Sequence, residues 1–312
     1  MTGSPSAASR ATSATPGRAL RIAHLTDIHI QPESNATESV IACLEDLHSL
    51  PDRPELILNG GDVVMDAVAS DEARVALQWD LWERIVSDYC EIPQEYCLGN
   101  HDIWGWNQRR SGCSGSEPLF GKRYAMERMG LTLPYRSFDR AGWRIIILDS
   151  NFRAVNAGSK NRGGDFVARL DALQWEWLQS ELAATPSEMP VLILSHVPIL
   201  AGGSVFFTGA CDETECTGNW VIPGSWMHID ARTIVNLFAE YANIRLCLNG
   251  HTHLSGRTEY NGIAYISDGA VSGQWWRGDY QQTPTGYGII DLYEDGLFKH
   301  HYRSVAMPAQ NL

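Results

Sequence analysis

Five short apolar runs in this chain each break off at a cluster of Asp, Asn or His, and a chain with that recurrence has few folds open to it. The run Gln94-Glu95-Tyr96-Cys97-Leu98 reads as a short buried strand; it stops at Gly99, and Asn100-His101-Asp102 follow at once. Asn100 offers a neutral amide oxygen to a metal. His101 offers a proton or a hydrogen bond, and Asp102 a carboxylate to hold that imidazole in one orientation. Taken alone, such a run also suits a polar turn that closes a strand. Its weight comes from the other strand ends.

The run Leu20-Arg21-Ile22-Ala23-His24-Leu25 ends in Thr26-Asp27-Ile28-His29. Asp27 and His29 are two apart, so in extended backbone they face one side. His24 reads as a packed strand residue. Leu56-Ile57-Leu58-Asn59 breaks at Gly60-Gly61-Asp62, where two glycines allow a sharp turn that brings Asp62 to the sheet edge. Val191 to Ser195 delivers His196, and Ile244 to Leu248 runs into Asn249-Gly250-His251-Thr252-His253. Five of the ten histidines therefore stand at strand ends.

Helical patterns lie between the runs. Asn35 with Glu38 suits an N-cap and capping-box partner ahead of Val40, Leu44 and Leu47. Val75, Trp79, Trp82, Ile85 and Tyr89 form one stripe. Asp171 with Gln174 caps a helix striped by Leu173, Trp177 and Leu182, and a further helix is expected from about Asp230 to Tyr241. The first hundred residues thus read β-α-β-α-β, with polar residues at the C-terminal strand ends, where α/β sheets place their sites. Trp143 to Leu148 is another strand, and the stretch from Gly256 to Tyr302 reads as several short ones, which fits two stacked sheets flanked by helices. Residues 1–18, rich in Ser, Ala, Thr, Gly and Pro, read as a disordered tail. Residues 19–305 read as one domain with loop insertions around 103–118 and 202–227.

Composition narrows the function classes. A net charge of -13 over 312 residues argues against a nucleic-acid polymer as partner. No apolar run approaches the roughly 18 residues of a membrane span, so no membrane role is expected. The seven cysteines, odd in number and scattered, read as reduced thiols of a cytoplasmic protein, with Cys211 and Cys216 the one pair close enough for a loop disulfide. Nitrogen and oxygen donors without a cysteine suit two divalent or trivalent transition-metal ions, Mn, Fe or Zn. Asp62 is the natural bridge, since repulsion between two ions calls for an anion between them.

Asp27-x-His29, Gly61-Asp62, Gly99-Asn100-His101-Asp102, His196 and Gly250-His251-x-His253 occur in the order of the calcineurin-like metallophosphoesterase superfamily, which this sequence resembles over roughly residues 20 to 255. The resemblance implies a four-layer α/β/β/α sandwich of two mixed β-sheets flanked by helices, and a dinuclear phosphohydrolase. It places Asp27, His29 and His253 on one metal, Asn100, His196 and His251 on the other, and Asp62 between them. His101 would sit beside the substrate phosphate as a catalytic group, with Asp102 behind it.

With such ligands, two ions about 3.5–4 Å apart share a water, lower its pKa and direct the hydroxide at phosphorus. His101 would stabilise the equatorial oxygens or protonate the leaving alkoxide. The expected substrate is a small phosphate ester. The similar size and motif spacing of the cyclic-nucleotide phosphodiesterase-like group favour a diester of that type, with a phosphomonoester or nucleotide pyrophosphate as alternatives. A nuclease and a non-catalytic binding scaffold are the less favoured classes.

The aromatic and basic residues outside the regular elements cluster at Trp104-Gly105-Trp106 with Arg109 and Arg110, and at Trp275-Trp276-Arg277. A Trp beside an Arg suits a flat anionic ligand. Trp106, Arg109, Trp276 and Arg277 are accordingly the expected substrate wall.

Overall fold

A computed structural model describes residues 17–153, 166–203 and 221–308. Alternation along buried strands sets the architecture. In β1 (Arg18–Leu25), Leu20 and Ile22 face one apolar cluster while Ala23 and Leu25 face another. The same split recurs in β5 (Trp143–Leu148), where Ile145 and Ile147 point one way and Ile146 and Leu148 the other. Strands covered on both faces read as unbroken apolar runs, which is why they stand out in the sequence.

The strands form two mixed sheets. In the first, β1 lies between β2 (Leu56–Asn59), parallel to it, and β12 (Gly286–Tyr293), antiparallel; β3 (Gln94–Tyr96) and β13 (Phe298–Ser304) are the edges. In the second, β5, β8 (Val191–Ser195), β9 (Ile244–Asn249) and β11 (Ile263–Ser267) run parallel, bounded by antiparallel β4 (Arg136–Arg140) and β10 (Gly256–Tyr260). A small hairpin pairs β6 (Asn151–Arg153) with β7 (Phe166–Ala168).

Three apolar layers hold this together. Leu20, Ile22, Trp143, Ile145, Leu192, Leu246 and Ile290 fill the space between the sheets. Helices α1 (Ala36–Ser49) and α2 (Glu72–Tyr89) cover the outer face of the first sheet through Val40, Leu44, Leu47, Val75, Trp79 and Trp82. After the short helices α3 (Gln108–Ser111) and α4 (Lys122–Arg128), helices α5 (Ala172–Ala184) and α6 (Ala231–Phe238) cover the second sheet through Leu178, Leu182, Ile234 and Phe238. The molecule is the expected layered α/β/β/α arrangement of two large mixed sheets flanked by helices.

Several details differ from the sequence expectation. Asn35 stands before α1 in a left-handed conformation, and its side chain makes no capping hydrogen bond. Tyr89 is 41% exposed and Leu173 72% exposed, so neither belongs to its helix stripe. Gln174 is buried instead, because its side-chain amide bonds the backbone N–H and C=O of Asp149. The 103–118 stretch contains α3, and Trp104 bridges to Gly121. Most of residues 1–18, and residues 204–220 with Cys211 and Cys216, lie outside the described residues. The described cysteines Cys43, Cys90, Cys97, Cys113 and Cys247 are free thiols. Among the described residues, no helix is long and apolar enough to cross a membrane.

Candidate metal centre

The strand ends of both sheets open on one side of the sandwich, and their turns interlock. The Asp27 N–H donates to Gly61 O at 3.0 Å, and the His29 N–H to Asp62 O at 2.9 Å, so the turns after β1 and β2 lie side by side. The turn after β9 joins them through the His251 N–H, which donates to Asp27 Oδ2 at 2.8 Å. The turn after β3 joins through the His101 N–H, which donates to Asp62 Oδ1 at 2.7 Å. The approaches leave no room for a side chain. A Cβ at Gly99 would lie 2.0 Å from Asp62 N, and one at Gly250 would lie 1.9 Å from Thr26 Oγ1.

Asp27, His29, Asp62, His251 and His253 all have φ between 49° and 66°, the left-handed region. Asp27 and His29 converge through these turns and not through the pleat of an extended strand, as the two-residue spacing had suggested. Each such residue costs of order 1–3 kcal/mol, and strain of this kind gathers at functional sites.

The side chains converge in two groups. Asp27, His29 and His253 form one: His253 Nε2 lies 3.1 Å from His29 Nε2 and 3.4 Å from Asp27 Oδ1. Asp62, His196 and His251 form the other: His196 Nε2 lies 3.3 Å from Asp62 Oδ2, 3.3 Å from His251 Nδ1 and 3.2 Å from Asn100 Oδ1. Asp62 Oδ2 is also 3.7 Å from His29 Nε2, so its carboxylate stands between the groups. His196 Nδ1 donates to Gly60 O and His253 Nδ1 to Gly273 O, which turns both Nε2 lone pairs inward. Donors sharing an ion at about 2.1 Å sit about 3.0–3.4 Å from one another, so these spacings fit a metal-ligand set.

The electrostatics agree. Burial would raise the Asp27 and Asp62 pKa values, but His253 and His196 outweigh it and hold both carboxyls below the usual range. In turn, against burial, Asp62 pushes His196 up to about 9 and Asp27 raises His253. Burial, then the charge of His101, lowers His29; burial, then His196, lowers His251 to about 3. Two carboxylates buried this close together call for positive charge beside them.

Asp102 does not hold the His101 ring. Its carboxylate accepts from the backbone N–H groups of Gly99 (2.9 Å), Asp62 (2.9 Å), Val63 (2.8 Å) and Val64 (3.2 Å). It ties the Asp62 turn to the Asn100 turn, and the expectation of a catalytic orienting role gives way to an architectural one. Burial, with the charge of Asp62, pushes its pKa up to about 7. The His101 imidazole is fixed by the carbonyl of Met65, to which Nδ1 donates, and a ring nitrogen of His101 lies within 4.8 Å of donors on His29 and Asp62. His24 is buried, with Nδ1 2.7 Å from Asp268 Oδ2, while His300 Nε2 meets the other oxygen at 2.8 Å.

The four residues expected at a substrate wall do not line the cavity over the centre, and near neighbours of three of them do. A cavity of about 420 Å³ over the centre is lined by Asn107 and Arg110, not by Trp106 or Arg109, and by Trp275, not by Trp276 or Arg277. Trp106 is 8% exposed and packs with Ile103, Phe166 and Val197. Arg109 is exposed and does not line that cavity. Trp276 is 4% exposed and its indole N–H donates to His29 O at 2.8 Å. Arg277 lines a different cavity, behind Trp276. Phe166, Trp226 and Tyr280, which the sequence reading missed, complete the wall. They lie on segments far apart in sequence, and no local pattern marks them.

A family model for calcineurin-like phosphoesterases matches residues 20–255. The chain is 24% identical over 293 residues to a 3′,5′-cyclic-nucleotide phosphodiesterase of Nostoc sp., spanning 89% of this chain and 90% of that protein. It is 26% identical over 250 residues to the 3′,5′-cyclic adenosine monophosphate phosphodiesterase CpdA of Escherichia coli, spanning 78% and 73%. A dimetal phosphatase from Danio rerio shares the fold, with a TM-score of 0.61 at 14% identity over 92% of this chain and 97% of that one.

Proposed function

The chain belongs to the calcineurin-like phosphoesterase family, and from that premise we propose that it hydrolyses a small phosphodiester of the 3′,5′-cyclic-nucleotide type at a dinuclear metal centre. That it is a phosphoester hydrolase follows from the family; the diester preference and the ligand roles are the proposal. The observation that carries it is the convergence of two His/Asp groups on either side of Asp62. Asp27, His29 and His253 would hold one ion, Asn100, His196 and His251 the other, with Asp62 common to both. Bound ions of this kind supply Lewis acidity toward phosphoryl oxygens and a water acidified toward neutral pH.

The remaining roles belong to side chains. With Nδ1 committed to Met65 O, His101 has one nitrogen left for the substrate. When the ring carries both protons, that nitrogen can donate to an equatorial phosphoryl oxygen or to the departing alkoxide. Asp102 and the four amides it gathers keep the two ligand turns in register, so the donors need no rearrangement during turnover. The relatives named for cyclic-nucleotide hydrolysis support the substrate type. The charge of -13, with Arg110 the only Lys or Arg among the described residues that line the cavity, favours a small molecule over a polymer.

The test is a turnover panel on the metal-loaded protein: 3′,5′-cyclic AMP, bis(p-nitrophenyl) phosphate, p-nitrophenyl phosphate and a nucleotide pyrophosphate. The diesters should turn over with the higher kcat/KM. Turnover of the monoester or the pyrophosphate alone would replace the diester proposal with one of those activities.

A further inference from the structure

The cavity over the centre has an aromatic rim. Trp275 stands 4.6 Å from His253 between ring centres and 5.8 Å from Tyr280, to which it is nearly perpendicular at 73°. Across the centre, Phe166 and Trp226 stand edge-on to His251 at 6.1 and 6.5 Å.

Trp275 is held there at a cost. Its φ is 48° and that of Trp276 is 68°, two consecutive bulky residues in a region that Gly or Asn ordinarily fill. The turn divides the pair. Trp276 goes into the core and bonds His29 O, so packing accounts for it. Trp275 stays partly exposed over the cavity, and its indole N–H has no partner among the described residues. One side of its ring packs on His253 and, at 6.1 Å, on His29, while the part left exposed faces the cavity. Arg110 lines the same cavity, and its guanidinium has no carboxylate partner among the described residues. A volume of about 420 Å³ is ample for a mononucleotide.

We infer that Trp275, with Tyr280 beside it, is the platform on which a nucleobase-like ring of the ligand stacks, and that Arg110 grips the ligand's anionic end. The inference rests on the proposed phosphodiesterase reading of the site and adds to it the residues that select the ester. A stacked base is worth enough to be read directly in binding.

The experiment is calorimetric binding of AMP and of ribose 5-phosphate, which share the phosphate and sugar, to the metal-loaded full chain. The wild type should bind AMP about tenfold or more tighter than ribose 5-phosphate. Trp275→Gly suits the observed φ and relieves strain, so a packing role predicts a well-folded protein with the preference intact. The platform predicts that the preference falls to within about twofold at unchanged metal content. Trp275→Phe, which keeps a π face, should retain most of it. Arg110→Ala should weaken both ligands by a similar factor and leave their ratio alone. Equal affinities in the wild type, or a preference that survives Trp275→Gly, would overturn the platform. Loss of the ratio in Arg110→Ala would overturn the division of labour. Hydrolysis of bis(p-nitrophenyl) phosphate by the wild type separates the two proposals. No turnover with the AMP preference intact sinks the phosphodiesterase reading alone, and turnover without the preference sinks the platform alone.

Discussion

Asp62 and Arg110 line the same cavity and are held in opposite ways. The Asp62 amide donates to Asp102, its carbonyl accepts from the His29 N–H, and its Oδ1 accepts from the His101 N–H. Among the described residues, Arg110 is tied down only through its backbone amide, which donates to Asn107 within its own turn. The Asp62 carboxylate on the floor is thus fixed by hydrogen bonds that cross between turns, whereas on the wall such bonds hold neighbouring backbone, as from Asn107 N–H to Val68 O, and leave the Arg110 guanidinium without one among the described residues. A floor of that kind keeps charged donors in place through a reaction, whereas a wall of the second kind can differ between relatives without disturbing the floor.

Substitutions sharpen this contrast. The largest effect is expected at Asp62. Asp62→Ala removes the carboxylate between the two donor groups and an acceptor of the His101 amide, so kcat should fall by about 10⁴ or more together with metal content. Retained activity would mean that the groups do not work as one centre. His101→Ala should keep the metal while kcat falls by about 10²–10⁴, and less for a nitrophenyl ester than for an alkyl ester if leaving-group protonation is its role. An equal fall for both would assign it to charge stabilisation.

How much of this the sequence discloses follows the same division. The ligand turns are legible because chemistry restricts their residue types and because the strands before them, buried on both faces, read as apolar runs. The wall is not legible, because a slip of one residue in a turn exchanges which side chain faces the cavity. Trp275 and Trp276 show this: their left-handed backbone is imposed by bonds such as Gln274 N–H to Gly278 O and Trp276 N–H to Ser272 O, and no Gly or Asn announces it. β4 also escapes notice, since an edge strand reading Arg-Ser-Phe-Asp-Arg carries little apolar signal. Asp102 is legible in position but not in role, because the four amides it serves come from two different turns.

Smaller effects test the correction at Asp102 and the one at the wall. Asp102→Asn places an NH₂ donor against amide N–H groups, so stability to denaturant should fall by about 1–3 kcal/mol. A variant of native stability with only kcat reduced would restore the orienting role toward His101. Arg277→Ala, outside the cavity, should change KM for a nucleotide diester by less than about twofold, within the scatter of a neutral surface change. A large rise in KM would return Arg277 to the wall and place the cavity boundary elsewhere.

The central claim is that two groups of donors share Asp62 and hold two ions. Metal analysis of the protein, stripped by chelator and reloaded with Mn, Fe or Zn, addresses it without reference to substrate. The account predicts about two ions per chain in the wild type, and loss of both on Asp62→Ala. One ion per chain in the wild type, or full dinuclear occupancy in Asp62→Ala, would contradict it.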